Sequence, residues 1–464
     1  MVARELDPRT PTGIEGTQAP SAFGGYDLWK LSQVLDWVEP YDIGSAREIW
    51  GSFMPGKLLL TTVGEQDARA ARRRLWHLLL EGDRGCIIWW SEDCIDWKSD
   101  DYALTPRAKA LAPVLQEMQS PLAHVFMRAE REYDPIAIHY SQASIQVDWL
   151  LESCEDGSTW LRRFSSYEAA HNRMLKVRNA WFTALTDLGL SPVFVSSQEL
   201  ENGELERRGI NTFVLPQSLA LSAAERTALA KFCVPQAVQP IPRRILYDAP
   251  FGVFDSHGKL RRADLSSKVE QQILNQEGRY DPLAMLSLPM PAKLESVSAF
   301  HHEFPQPNAT SETDISAYLS ARLSVGEGSK LTPLDEFFAR EFPIATRKIG
   351  LKTTDGTPPH TAIFRYRLGD ARLLAFERNI VWQMSEDLKQ KGGNEALEKP
   401  VDFEAKLIAP AYIYDLRSGK YLGQSDRLAV HLDPWQPSLF ALLPQRIPGD
   451  DALAALTKLA DAAK

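Results

Sequence analysis

What this 464-residue sequence has little of narrows its class first. Four cysteines (Cys86, Cys94, Cys154 and Cys233) are too few for a disulfide framework in so long a chain, and no two stand at C-x-x-C spacing. That leaves buried free thiols as the better reading and no zinc signature. No apolar run approaches the ~20 residues that cross a bilayer. The start, MVARELDPRTPTG, has neither the basic flank nor the apolar stretch of a signal peptide, so the expectation is a cytoplasmic chain without membrane contact. Positive charge is in short supply: 52 basic against 61 acidic side chains give a net charge of −9, which lacks the footprint of a nucleic-acid binder. The run Arg72-Arg73-Arg74 reads as the solvated face of a helix. No G-x-G-x-x-G, Walker loop, H-E-x-x-H or G-x-S-x-G stands where a strand leads into a helix, so no cofactor is expected. His301-His302-Glu303 are adjacent in an irregular stretch and cannot share one face as metal ligands do.

What is present is a globular composition, 44% apolar and 24% charged, long enough for about two to four domains. Residues 1–133 alternate strand and helix. Lys57 to Val63 reads as a buried strand, followed by a helix that Asp67 caps and Gly82 stops, with Ala71, Leu75, Leu78 and Leu79 on one face. Cys86 to Trp90 reads as a second buried strand. Thr105-Pro106 opens a long helix with a stripe from Ala108 to Val125. Gln33 to Val38 and Thr12 to Gly16 supply earlier strands, and the repeat of strand and helix means a parallel sheet. Residues 134–250 restart with the strand Ile136 to Tyr140. The capping boxes Ser165 to Glu168 and Ser222 to Glu225 open helices, and the strands Pro192–Val195 and Asn211–Leu215 complete a doubly wound α/β unit. Residues 251–340 form a connector. In 341–464 the apolar period changes to two, giving a hairpin at Gly369-Asp370 and further strands at 411–415 and 428–432. These predict an antiparallel sheet, a small sandwich, with a terminal helix.

Chemistry then rests on carboxylates at strand ends. Glu65 follows the run ending at Val63, Glu92 and Asp93 follow the run ending at Trp90, and Glu39, with Tyr41, follows the earlier strand. In α/β barrels the C-terminal strand ends carry the active site. Carboxylates act on a glycosidic bond, and rings such as Trp90 or Tyr41 pack on a sugar's apolar faces. Acidic residues also stand before helices simply to oppose the macrodipole, and Trp89 and Trp90 point to opposite sides of a strand, so one of them is core.

The order of these regions resembles the C-terminal part of family-42 glycoside hydrolases, the β-galactosidase type. The resemblance is carried by VLDWVEPYDIG, KLLLTTVGEQD, RRRLWHLLLEGDRGCIIWW, DPIAIHYSQASIQVDWLLES, SSYEAAHNRMLKVRNAWFTALTDLGL, INTFVLPQSLALSAAE and IYDLRSGKYLG. It implies the last four strands of a (β/α)8 barrel at 1–133, a flavodoxin-like, glutamine-amidotransferase-like unit at 134–250 that serves in trimerisation, and a β domain at the end. It also implies that Glu65 is the nucleophile of a retaining mechanism. The family's acid/base follows an Asn earlier in the barrel, and no Asn-Glu pair precedes Glu65. A full barrel takes about 250 residues, so the first half is expected to be absent from this chain. A separate polypeptide or longer reading frame then supplies it, or Glu39 or Glu92 serves as acid. The alternative is a non-catalytic carbohydrate-binding or oligomeric assembly protein.

Overall fold

The computed structural model describes residues 5–17, 26–41, 44–89, 93–156, 172–233, 243–261, 294–296, 338, 340–343, 347–354, 356, 359–380, 382 and 397–463. Three sheets organise them. The first is parallel, in the order β1 (Gly13–Thr17), β2 (Trp37–Pro40), β3 (Leu58–Val63) and β4 (Gly85–Ile88). Between these strands run helices α1 (Leu28–Ser32), α2 (Ala46–Phe53) and α3 (Ala68–Glu81), and after them α4 (Pro106–Met118) and α5 (Pro121–Arg128).

The second sheet joins β6 (Ile136–Tyr140), β7 (Val193–Ser196), β8 (Thr212–Leu215), β9 (Arg244–Tyr247) and β10 (Leu294–Ser296) in the order β10-β9-β8-β6-β7, all parallel. Its helices are α6 (Gln142–Asp156), α7 (Arg173–Asp187), the short α8 (Ser197–Glu201) and α9 (Glu204–Arg207), and α10 (Ala223–Cys233). The third sheet is antiparallel, in the order β11 (Ile349–Lys352), β14 (Val401–Asp415), β16 (Ser438–Leu443), β13 (Ala371–Arg378), β12 (Thr361–Leu368) and β5 (Glu130–Glu132). Off this path, β15 (Lys420–Leu432) pairs with β14, and α11 (Ala452–Ala462) closes the chain.

Local chemistry explains the boundaries. The Asp67 carboxylate accepts from the Arg69 and Ala70 amides at 3.0 and 2.9 Å, satisfying two of the free donors at the start of α3, worth about 1 kcal/mol. Gly82 ends α3 at φ +107°, where a side chain would be strained. On β3, Leu59, Thr61 and Val63 face the helices and are buried, while Leu58, Leu60 and Thr62 lie on the other, partly open face. Val38, Trp50 and Leu59 share a core with Ile138, Trp181 and Phe194 of the second unit. Trp76 and Phe126 share another with Tyr366 and Leu373 of the antiparallel sheet. The first unit is thus clamped on two sides.

Several elements differ from expectation. Gln33 to Asp36 are not strand. Asp27 instead caps α1, with its Oδ1 accepting from the Lys30 amide, and β2 begins only at Trp37, so Glu39 lies within the strand rather than beyond it. The long helix predicted from Thr105 is two helices, because Ser120 caps anew and Pro121 has no amide to continue the ladder. Strand β4 begins at Gly85 and stops at Ile88, short of the expected Trp90. Helix α7 is capped by Asn172; the capping box at Ser165 to Glu168 lies outside the described residues, as do His301 to Glu303 and most of the connector. The C-terminal strands form one sheet rather than a small sandwich, and β5, at the end of the first region, is its edge. Among the described residues no helix is long and apolar enough to cross a membrane.

Candidate functional site

Of the residues singled out from sequence, Glu65, Glu39 and Tyr41 lie among the described residues, at or next to the C-terminal parts of β2 and β3. Glu65 stands two residues beyond β3, before the helix capped by Asp67. Its Oε2 is enclosed and has no hydrogen-bond partner among the described residues. Burial pushes the Glu65 carboxyl up to about 7, and its own backbone amide and the guanidiniums of Arg73 and Arg107 only partly oppose this. A carboxyl poised there changes between its protonated and ionised forms near neutrality and is available as a carboxylate above about pH 7.

Arg107, in the first turn of α4, fixes the surroundings. Its Nε donates to the Glu65 carbonyl at 3.2 Å, and its Nη1 lies 3.8 Å from Asp93 Oδ2. The buried Nη2 has no partner among the described residues. A buried acceptor and a buried donor, each without a partner among the described residues, thus belong to two residues joined through the Glu65 carbonyl, the state expected of groups that a ligand satisfies. Sequence reasoning missed Arg107. Its only local signal was a place just after the Thr105-Pro106 cap.

Glu39 projects onto the same face as Thr62. It is 1% exposed, its Oε2 accepts from the Gly16 amide at 2.8 Å and its Oε1 from the Thr62 hydroxyl, so it ties β2 to both neighbouring strands. Tyr41 lies beside it: a Cβ built on Gly16 would stand 3.2 Å from the Tyr41 hydroxyl. Trp37 packs so closely over Gly13 that a Cβ there would come within 1.9 Å of its indole. Trp90 and Glu92 lie outside the described residues. Trp89, which follows β4, donates its amide to the Val63 carbonyl at 3.1 Å.

A second cluster binds α3 to the antiparallel sheet. His77 Nδ1 lies 3.0 Å from Glu377 Oε2, with its ring 4.8 Å from that of Trp382. Arg73 pairs with Glu398 at 3.2 Å and stacks on Trp435. In the second unit, His139 lies 2.9 Å from the Ser218 hydroxyl and 3.1 Å from Glu225 Oε1. That chain has the composition of a nucleophile, base and acid, but all three residues are buried, so it fastens β6 to α10 instead of meeting a substrate. Cys86, Cys94 and Cys233 are free thiols, and burial pushes Cys86 up to about 11 and Cys233 up to about 12, inert values at neutral pH. No group of three or more His, Cys, Asp or Glu among the described residues is placed to hold a metal ion.

The whole arrangement has a glycoside-hydrolase-like fold of the family-42 type. It is similar to the exo-carrageenase of Bacteroides ovatus in that family, with a TM-score of 0.53 at 13% identity over 95% of this chain and 53% of that one. It is likewise similar to the β-galactosidase Gan42B of G. stearothermophilus, with a TM-score of 0.57 at 9% identity over 95% of this chain and 64% of that one. For the β-galactosidase of Bacillus circulans sp. alkalophilus the values are 0.55 at 10% identity, over 95% and 64%. The chain thus spans between about half and two thirds of the length of these proteins. No protein-family model matches the sequence, and no curated protein sequence is similar to it.

Proposed function

We propose that the chain is the C-terminal portion of a retaining glycoside hydrolase of β-galactosidase type, with Glu65 as its nucleophile. In this reading residues 1–133 are the last four strands of a (β/α)8 barrel, and 134–250 a flavodoxin-like unit of the kind that mediates trimerisation. Residues 251–340 connect it to an antiparallel β domain at 341–464. The observation that carries it is the enclosed Glu65 Oε2 and Arg107 Nη2, each without a hydrogen-bond partner among the described residues, on two residues joined through the Glu65 carbonyl at the C-terminal ends of a parallel sheet. The partly open faces of Leu58, Leu60 and Thr62 are the positions that a closed barrel fills, so the missing strands pair at β1 and β4 and come from the same or another polypeptide.

In the completed site, ionised Glu65 attacks the anomeric carbon while a second carboxyl about 5 Å away protonates the leaving oxygen; water then releases the sugar. In this reading Glu39, held by two donors, Tyr41, Trp90 and Glu92 are the further substrate-binding residues. A second reading, a non-catalytic carbohydrate-binding or assembly protein, is favoured by the same engagement of Glu39, which ties up the nearest inward-facing carboxylate of β2.

The test is hydrolysis of a panel of nitrophenyl glycosides, β-galactoside first, by the chain alone and by the completed barrel. Turnover by the completed barrel, abolished in Glu65→Gln and recovered by azide in Glu65→Ala, supports the assignment. Full turnover in Glu65→Gln moves the role to another carboxylate. Turnover by the chain alone makes Glu39 and Glu92 the candidate acids.

A further inference from the structure

At the opposite, N-terminal end of the first sheet, a groove enclosing about 1040 Å³ runs where all three units meet. Its walls include Lys57 and Arg84 from the strand starts, Ile210 of the second unit and Lys348 before β11. Two features set it apart from ordinary surface. First, the four carboxylates that line it are already claimed by arginines: Glu81 by Arg131 at 2.5 Å, Asp134 by Arg365 at 2.6 Å, Glu204 by Arg208 at 2.8 Å, and Glu130 by Arg367. Second, three of its cations meet only neutral carbonyls. Lys57 Nζ donates to the carbonyls of Ser32 and Leu35 at 2.8 and 2.7 Å. Arg84 Nη1 donates to its neighbour Asp83 at 3.0 Å and Lys348 Nζ to Tyr133 at 3.1 Å, in both cases to the backbone oxygen. Among the described residues none of the three forms an ion pair.

In a chain whose net charge is −9, a recess in which six cationic side chains outnumber four carboxylates has a local potential opposite to the whole. Its volume suits a small molecule, and a junction of units is where such pockets are found. We propose that this groove binds a small molecule bearing a phosphate, sulfate or carboxylate group, with Arg84, Lys57 and Lys348 as the charge-recognising residues. Because the groove is lined by all three units, an occupant held there by Lys57 and Arg84 of the first and Lys348 of the third would also brace their junction. The site stands apart from Glu65, at the other end of the strands, and does not rest on the glycosidase reading.

Calorimetric titration of the 464-residue chain with inorganic phosphate, glucose 6-phosphate, glucuronate and glucose tests this. Saturable binding of the charged probes, weakening as salt rises, with no binding of glucose, is expected. Arg84→Gln and Lys348→Gln should each weaken it about tenfold, as loss of one charge-assisted contact does. Both side chains are surface groups, and an unchanged circular dichroism spectrum establishes that the variants are folded. Preference for glucose 6-phosphate over inorganic phosphate supports a sugar-sized occupant, and equal affinity supports a free anion. Failure of every charged probe to saturate by about 10 mM, or affinity unchanged in both variants, overturns the proposal.

Discussion

Glu65→Gln should stabilise the protein, and should do so only where the native carboxyl is forced to ionise. Burial raises that carboxyl from an ordinary 4.5 to about 7, so folding holds its proton over a range in which the unfolded chain has released it. Between those two values the folded state binds more protons than the unfolded state, and stability therefore falls as pH rises from 4.5 to 7, then levels off. At 1.36 kcal/mol per pH unit, with a discount for the part of the residue that remains open to water, the loss amounts to about 2–3 kcal/mol. The amide of Gln fills the same space and carries no charge, so the variant escapes this loss. Urea unfolding of both proteins at pH 4.5 and pH 8, read by tryptophan fluorescence and far-ultraviolet dichroism, measures the effect. The two should have similar midpoints at the lower pH and differ by about 2–3 kcal/mol at the higher. Parallel pH profiles for the two proteins would show that Glu65 is solvated in the folded state and would remove the electrostatic argument for its role.

Asp83 is the anchor of another buried network, accepting from Arg47 Nε at 2.8 Å and from the Thr61 hydroxyl at 2.6 Å. Asp83→Asn leaves the buried Arg47 charge with only the more distant Glu81 carboxylate, 3.7 Å away, and should cost about 3 kcal/mol, seen as a lowered urea midpoint. Gly13→Ala places a methyl group where the Trp37 indole lies and should cost about 1–3 kcal/mol, with a change in near-ultraviolet dichroism as the ring is displaced. If that spectrum is unchanged, the ring does not pack on Gly13 in solution.

The elements that could be read from sequence are those in which local chemistry and tertiary packing agree. Leu58 to Val63 is a strand because a short apolar run is buried against helices, and α3 begins and ends where Asp67 and Gly82 require. Helix α1 escaped notice because five residues give no usable period, although Asp27 was there to cap it. The break at Ser120-Pro121 was hidden because the apolar stripe continues across it from α4 to α5. At the site, Glu65 was legible from its place after a strand. Its contact with Arg107 joins residues 42 positions apart, and no local pattern reports such a pairing. Glu39 was singled out as a carboxylate beyond a strand end, but a strand boundary set one residue short of it concealed that it lies within β2 and staples three strands together.

The strand Glu130–Glu132 has a consequence for how the chain acquires its shape. It supplies an edge to a sheet made otherwise of residues beyond 348, with Arg367 and Glu130 meeting across 237 positions of sequence. That sheet therefore stays unfinished until the last third of the chain has been synthesised, and its closure is a late, slow event in folding. A protease cut between the second and third units would leave the fragments non-covalently joined through this strand. Separate expression of residues 341–464 would instead leave β12 with a naked edge and a tendency to self-associate.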